Sequence, residues 1–292
     1  MQRDLNIQWY PGHMTKARRM IAENTKMVDA VCEVIDARIP YSSQNPDLTD
    51  MICGKPRLIV LNRMDQADPG ATKQWRTHFK EDGLAVLETD SKSGKGVGGF
   101  SAAIRALLAD RLAHYASRGQ KGRQPRVMIV GIPNVGKSSL INRIAKRKAA
   151  ATSDKPGVTR GKQWISIDFG FELLDTPGVL WPRFDDRTVA ENLAFTGAIR
   201  DEVLDIETLG ARLMTRMAEN YPERIAERYK IDITTGAGGL DLLAQAAKKR
   251  GFLIPGGEYD LNRMSAVILD EYRSGKLGRI TLEHASVCGV GG

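Results

Sequence analysis

Eight residues, Gly131-Ile-Pro-Asn134-Val135-Gly136-Lys137-Ser138, have the composition and spacing of a loop that wraps phosphate. Gly131 and Gly136 let backbone N–H groups approach phosphate oxygens. Lys137 brings a point charge to the β and γ groups, and the Ser138 hydroxyl is placed to ligate Mg²⁺. Asn134, Val135, Gly136 and Ser139 are the neighbouring candidate phosphate contacts. Asp175-Thr-Pro-Gly178 follows 44 residues after Gly131. In isolation it would read as an ordinary Asx or Pro-Gly turn. Downstream of a phosphate loop, Asp175 suits the Mg²⁺-side carboxylate, acting through water, and the Gly178 N–H can meet a γ-phosphate. Between the two lies a basic stretch, 147–162, containing Pro156-Gly-Val-Thr159. A threonine hydroxyl there would complete the Mg²⁺ shell in a loop ordered by the γ-phosphate. Thr159 is the favoured residue and Thr152 its competitor.

A second constellation concerns the base. Asn62-Arg63-Met64-Asp65 follows an apolar run ending at Leu61. The Asp65 carboxylate can accept two hydrogen bonds from the N1–H and 2-amino edge of guanine, which adenine cannot supply. Lysine is the usual second residue of such a tetrapeptide; the Arg63 stem can cover the base plane in its place. Asp90-Ser91-Lys92-Ser-Gly94, 25 residues after Asp65, forms a second turn that would present backbone N–H groups to the guanine carbonyl. Ordinary GTPases carry the base tetrapeptide after the phosphate loop. Here it comes about seventy residues before, so the motif order is circularly permuted.

These residues need strands that end where they begin. Apolar runs at 28–35, 57–61, 85–87, 127–130 and 171–174 read as strands buried on both faces. Helical periodicity separates them, most clearly over 99–117. The expected fold is α/β: a P-loop, doubly wound, mostly parallel sheet over residues 1–198, joined to a small all-α domain over 199–292 with helices near 205–220, 222–229, 240–249 and 259–274. Residues 118–126 carry four cations, two glycines, a proline and no acid, and read as an exposed linker. In a permuted domain this is where the original termini would be joined, because termini of compact domains commonly lie close together.

The 292-residue chain has 43 Lys+Arg, 35 Asp+Glu and a net charge of +8. From Asp201 onward there are 12 Lys+Arg against 14 Asp+Glu, leaving 31 against 21 before it. The basic excess thus belongs to the nucleotide-binding part and favours a polyanionic partner over a merely solubilising surface, with RNA the first choice. In the tail, Lys248-Lys-Arg250 and the group Arg273, Lys276, Arg279 read equally well as RNA contacts or as cations at helix C-termini. No long uncharged apolar span exists, and the N-terminus lacks the apolar core of a secretory signal. Cys32, Cys53 and Cys288 show no metal-ligand spacing and read as reduced thiols, so a cytoplasmic location is expected.

Trp9-Tyr-Pro-Gly-His13-Met-Thr-Lys-Ala, Asp36-Ala-Arg-Ile-Pro40 and the permuted motif order together resemble the YlqF-type family of circularly permuted ribosome-biogenesis GTPases. The resemblance covers residues 1–200 motif by motif; the tail agrees in length and class. It implies GTP and GDP as ligands with Mg²⁺, and GTP hydrolysis coupled to late assembly of the large (50S) ribosomal subunit with rRNA contact. No DNA or membrane partner is implied, and a monomer is favoured.

Many GTPases place a glutamine after the Asp-x-x-Gly element to position the attacking water. Val179 stands there, and its apolar side chain cannot. The resemblance makes His13 the catalytic candidate beside Lys137 and Thr159; capping or packing of the first helix is the competing role for His13. It also makes Asn134 a candidate K⁺-holding residue, with simple backbone positioning as the alternative. Slow turnover alone and stimulation on the ribosome are expected. A nucleotide-gated RNA clamp with negligible hydrolysis is the second reading, and a P-loop ATPase, which Asp65 disfavours, the third.

Overall fold

Six strands form one sheet in the order β3-β2-β1-β4-β6-β5. They are β1 Ala30–Asp36, β2 Arg57–Asn62, β3 Ala85–Glu88, β4 Arg126–Gly131, β5 Gln163–Ile167 and β6 Phe171–Asp175. The computed structural model describes residues 11–120, 123–146, 163–167, 170–178, 180, 186–233 and 236–288. Five strands run parallel. β5 alone is antiparallel, folded back on β6 through a turn in which Gly170 takes φ +75°.

The predicted runs became the parallel strands; β1, β2, β4 and β6 are largely buried as expected, whereas every residue of β3, the outermost strand, is only half-buried because one side of it has no neighbouring strand. All seven residues of β1 are buried. Val31, Ile35, Ile59, Leu61 and Met128 share one face, meeting Ile21 of α1 (Pro11–Thr25), Met51 of α2 (Leu48–Met51), and Trp75 and Phe79 of α3 (Pro69–Glu81). Their alternates Val34, Leu58, Val60 and Ile129 are buried as completely, so both faces are covered. Buried Cys32 belongs to this core, and burial followed by the charge of Glu33 pushes its thiol well up, so it stays protonated. Cys53 is exposed.

Start signals in the sequence set the helices locally. Asp68 caps α3 by accepting the Ala71 N–H at 2.8 Å, with Pro69 in the first turn. The single helix expected over 99–117 is two, α4 Phe100–Leu107 and α5 Ala109–Ser117. At Leu108 the backbone leaves helical geometry (φ −106°, ψ 13°) as its side chain enters the core. Neither proline nor glycine marks the break, so periodicity alone ran through it. α6, Lys137–Lys146, opens directly from the phosphate loop.

The chain divides into two compact units, one of residues 1–9 with 184–282 and the other of 10–183 with 283–292. The helical unit contains α7 Arg187–Phe195, α8 Ile206–Asn220, α9 Pro222–Tyr229, α10 Gly239–Arg250 and α11 Leu261–Ser274; a short α12, Ala285–Cys288, belongs to the sheet-containing unit of 10–183 with 283–292. The sequence division at 198/199 followed the end of the recognisable motifs, whereas compactness divides the chain at 9/10, 183/184 and 282/283.

Helices α8, α10 and α11 bury Leu213, Met217, Leu242, Leu243, Met264 and Ile268. Gly239 lets α10 approach α8 so closely that a Cβ would lie 1.9 Å from the Ala211 carbonyl oxygen. Glu271 is the polar centre of this unit. Burial pushes its carboxyl up, but hydrogen bonds from Arg228 and Tyr229 and the charge of Arg250 outweigh that and bring it down to about 2. No helix among the described residues is long and apolar enough to cross a membrane.

Candidate guanine-nucleotide site

The carboxyl ends of β1, β2, β3, β4 and β6 carry Asp36, Asn62, Thr89, Gly131 and Asp175, so both predicted constellations meet at one edge of the sheet. That edge is where open α/β sheets bind ligands. The inverted motif order is thereby resolved in space.

Asn62 joins the two halves. Its amide Nδ2 donates to the Val135 carbonyl at 2.8 Å. Its Oδ1 accepts from the Thr89 hydroxyl at 3.0 Å, the Ser91 N–H at 3.1 Å and the Ser91 hydroxyl at 2.7 Å. Gly136 (φ +100°) makes room for this contact, since a Cβ there would sit 2.4 Å from Asn62 Nδ2. Met64 N–H is donated to the Thr89 carbonyl at 3.2 Å, which leaves the Asp65 carboxylate exposed at the tip of the turn.

Arg63 and Asn134 both adopt left-handed backbone, φ +62° and +58°. Strain of this kind, about 1–3 kcal/mol per residue, concentrates at functional sites. The Arg63 guanidinium donates to the Asn134 carbonyl at 2.7 Å and lies 3.6 Å from Asp36. Asp36 also holds Arg38 through two side-chain bonds of 2.9 and 2.8 Å, with Arg38 1% exposed. Burial works to raise the Asp36 carboxyl, but Arg38 and then Arg63 outweigh it and hold it below its ordinary range. Asp36 and Arg38 stood in the sequence only as family markers. The structure makes them the support of Arg63, and an Asp-x-Arg at a buried strand end was the available signal.

The second turn differs from expectation. Lys92 and Ser93 N–H groups are donated to Asp90 Oδ1 at 2.8 and 3.1 Å, and Ser91 N–H goes to Asn62. These donors stabilise the turn itself instead of facing outward, because Asp90 captures them in an Asx-type turn. Burial opposes the Asp90 charge, yet the Ser93 and Lys92 hydrogen bonds keep its carboxyl below the usual range. Arg143 donates to the Lys92 carbonyl, tying this turn to α6. The exposed Lys92 side chain is what the turn offers to a base.

On the phosphate side, Ser138 and Ser139 are exposed in the first turn of α6. Gly178 passes so close to the phosphate loop that a Cβ would lie 2.8 Å from Pro133 Cα and 3.0 Å from Lys137 Nζ. The buried Lys137 ammonium donates to the carbonyls of Gly131 and Ile132 at 2.9 and 2.8 Å. Burial brings its pKa down to about 8, opposed by the charge of Asp175. Ser138 and Asp175 fit Mg²⁺ in the way such sites do, with one hydroxyl and one carboxylate and the remaining oxygens from nucleotide and water. No group of three or more His, Cys, Asp or Glu placed to hold a metal ion is present among the described residues. Thr159, Thr152, Val179 and the His13 side chain lie outside the described residues; the His13 backbone is in α1.

A measurable consequence follows from Lys137. Phosphate charge beside the ammonium restores its proton, so nucleotide binding at pH 8 is expected to take up about half a proton and at pH 6.5 almost none. Calorimetric binding enthalpies in buffers of different ionisation enthalpy measure this; no uptake at pH 8 would remove Lys137 from the phosphate contacts.

A family profile described as "50S ribosome-binding GTPase" matches residues 126–224. The ribosome biogenesis GTPase A of Bacillus cereus is 44% identical over 277 residues, covering 95% of this chain and 93% of that protein. The chain belongs to the ribosome biogenesis GTPase A (YlqF) family. It is accordingly a GTP-hydrolysing enzyme that binds guanine nucleotide. A GDP-bound YlqF structure superposes with a TM-score of 0.68 at 26% identity, covering 92% of this chain and all of that one. A GNP-bound YlqF from T. maritima gives 0.62 at 29% identity, covering 92% and 98%. The YlqF likeness thus extends through the helical unit, where sequence motifs were sparse.

Proposed function

We propose that the chain is a GTP-dependent switch in assembly of the large (50S) ribosomal subunit, contacting rRNA and working in the cytoplasm, as a monomer. The observation that carries the reading is Asn62, whose amide binds base-reading turn and phosphate loop together. In this reading Asp65 selects guanine, with Asn62, Arg63, Met64, Asp90, Ser91 and Lys92 shaping its pocket. Asn134, Val135, Gly136, Lys137, Ser138, Ser139 and Gly178 surround the phosphates. Ser138, Thr159 and, through water, Asp175 hold Mg²⁺, which neutralises developing phosphate charge when bound. His13 orients the attacking water in the role that a glutamine at the position of Val179 would take, and Asn134, exposed at the phosphate loop, holds K⁺.

The profile described as ribosome-binding and the relatives' names support the ribosomal target. The basic excess of residues 1–200 supports rRNA contact. Within the tail, Arg250 is engaged by Glu271, and Arg273 by Asp201 and the Phe195 carbonyl. Those two serve the helical packing, which shifts the RNA reading toward residues 118–126 and 143–162. The test is GTP hydrolysis with and without purified large subunits, in K⁺ and Na⁺ buffers. Stimulation of at least about tenfold by subunits, greater in K⁺, is expected. Intact GTP binding with no stimulation overturns the ribosomal switch, and equal rates in the two salts overturn the K⁺ role.

A further inference from the structure

Glu283 is the residue at which the chain leaves the helical unit and rejoins the sheet-containing one. Its side chain is buried, 6% exposed. The carboxylate accepts the Tyr41 N–H at 2.7 Å, the Ser42 N–H at 3.1 Å to each oxygen, and the Ser42 hydroxyl. Its main-chain carbonyl accepts the Trp75 indole N–H at 3.0 Å. Two residues later Ala285 packs on the cluster of Ile35, Leu61, Ala67 and Trp75. Leu61 and Ala67 bracket the base-reading turn, so this short return segment braces it from beneath.

The loop that Glu283 grips leads to the nucleotide site by the other route. The Ser43 hydroxyl accepts the Asp36 N–H at 2.9 Å and donates to the Ile39 carbonyl at 2.7 Å, closing residues 36–43 into one turn. Asp36 is the carboxylate facing Arg63, and Arg63 reaches the Asn134 carbonyl of the phosphate loop. Apart from the peptide bond joining Ser42 to Ser43, these links are hydrogen bonds or ion pairs, and all lie within the same compact unit. A buried carboxylate answered by several N–H and O–H donors is costly to disturb, because each abandoned donor then lies unsatisfied.

We propose that Glu283 is a positioning residue for guanine-nucleotide binding: by clamping the loop after β1 it fixes Asp36, and through Asp36 the aim of Arg63 between base and phosphate loop. The inference rests on placing Arg63 and Asn134 in the nucleotide site. It also gives the permuted order a use. The segment following Asp175–Gly178 enters the helical unit at 183/184, and the segment leaving that unit ends on Glu283. Of the three crossings between the units, at 9/10, 183/184 and 282/283, one therefore follows the phosphate-side segment Asp175–Gly178 in sequence and one ends on Glu283, which contacts the loop after β1.

The test is titration of fluorescent mant-GDP into the full chain carrying Glu283→Gln, Arg63→Ala or both. Gln keeps the volume but turns amide hydrogens toward the Tyr41 and Ser42 donors. Each single change is expected to weaken mant-GDP about 5–20-fold, and the double variant should bind within about twofold of Arg63→Ala alone. Such non-additivity is what a residue acting through Arg63 gives; general loosening of the fold would add instead. Additive losses, or an unchanged Kd in Glu283→Gln, overturn the proposal. Ser42→Ala removes one donor and leaves the carboxylate. It is the milder probe should Glu283→Gln melt early, with a loss of about 2–3-fold expected and the same non-additivity with Arg63→Ala. Failure of the unaltered protein to bind mant-GDP would instead overturn the nucleotide site itself.

Discussion

Asp65→Asn is expected to weaken GTP by about 10²–10⁴-fold while opening the site to xanthosine triphosphate. In the proposed role the carboxylate replaced here accepts two hydrogen bonds from guanine, each about 1.5–3 kcal/mol when the acceptor is charged. Asparagine can accept from N1–H but turns an N–H toward the guanine 2-amino group, so one bond becomes a donor–donor clash. Xanthine has a carbonyl at that position and accepts what asparagine donates. The turn should survive the change, because its shape depends on Asn62, on the Met64 N–H to Thr89 and on the Gln66 N–H to Arg63, and not on the exposed Asp65 side chain. Competition of GTP, xanthosine triphosphate and ATP against mant-GDP reads the result. Retained GTP affinity in Asp65→Asn would show that this carboxylate does not face the base.

The chemistry of the site was legible because it is written in short stretches. Gly131–Ser138, Asp175–Gly178 and Asn62–Asp65 each follow an apolar run, and a buried strand ending in such residues has few other readings. The meeting of Asp65 and Lys137 at one sheet edge followed from those strands being parallel. What stayed hidden depends on partners far apart along the chain. Glu283 meets Tyr41 across 242 residues, and nothing in the local pattern around either residue marks the other. Asp36 and Arg38 were visible as a pair but not as the support for Arg63, because only packing decides where a buried guanidinium points. β5 was missed since Gln163–Ile167 is short and follows a polar, basic stretch; its partner β6 supplies the reason for it to be a strand. The outward-facing donors expected around Ser91 failed on a nearer competitor, the Asp90 carboxylate, which local turn chemistry could have flagged.

Lys137→Met separates catalysis from folding most sharply. Loss of the charge proposed to meet the β and γ phosphates should lower GTP turnover by at least about 10²–10³, the scale of one transition-state contact in a water-poor site. Stability should move the other way or not at all. Folding lowers the Lys137 pKa from its ordinary 10.5 to about 8. At pH 7 that corresponds to about 3 kcal/mol against keeping the ammonium charged in the folded chain. The sign is that of a depressed base: between pH 8 and 10.5 the unfolded chain holds more protons, so stability rises with pH through this window and the penalty is full below it. Methionine keeps the stem and removes the charge, while giving up the bonds to the Gly131 and Ile132 carbonyls. The melting temperature of Lys137→Met is therefore expected to equal or exceed that of the unaltered protein at pH 7, with turnover lost. A variant that melted several degrees lower would mean that the two carbonyl bonds outweigh the buried charge, making Lys137 a structural cation of the loop as much as a phosphate ligand.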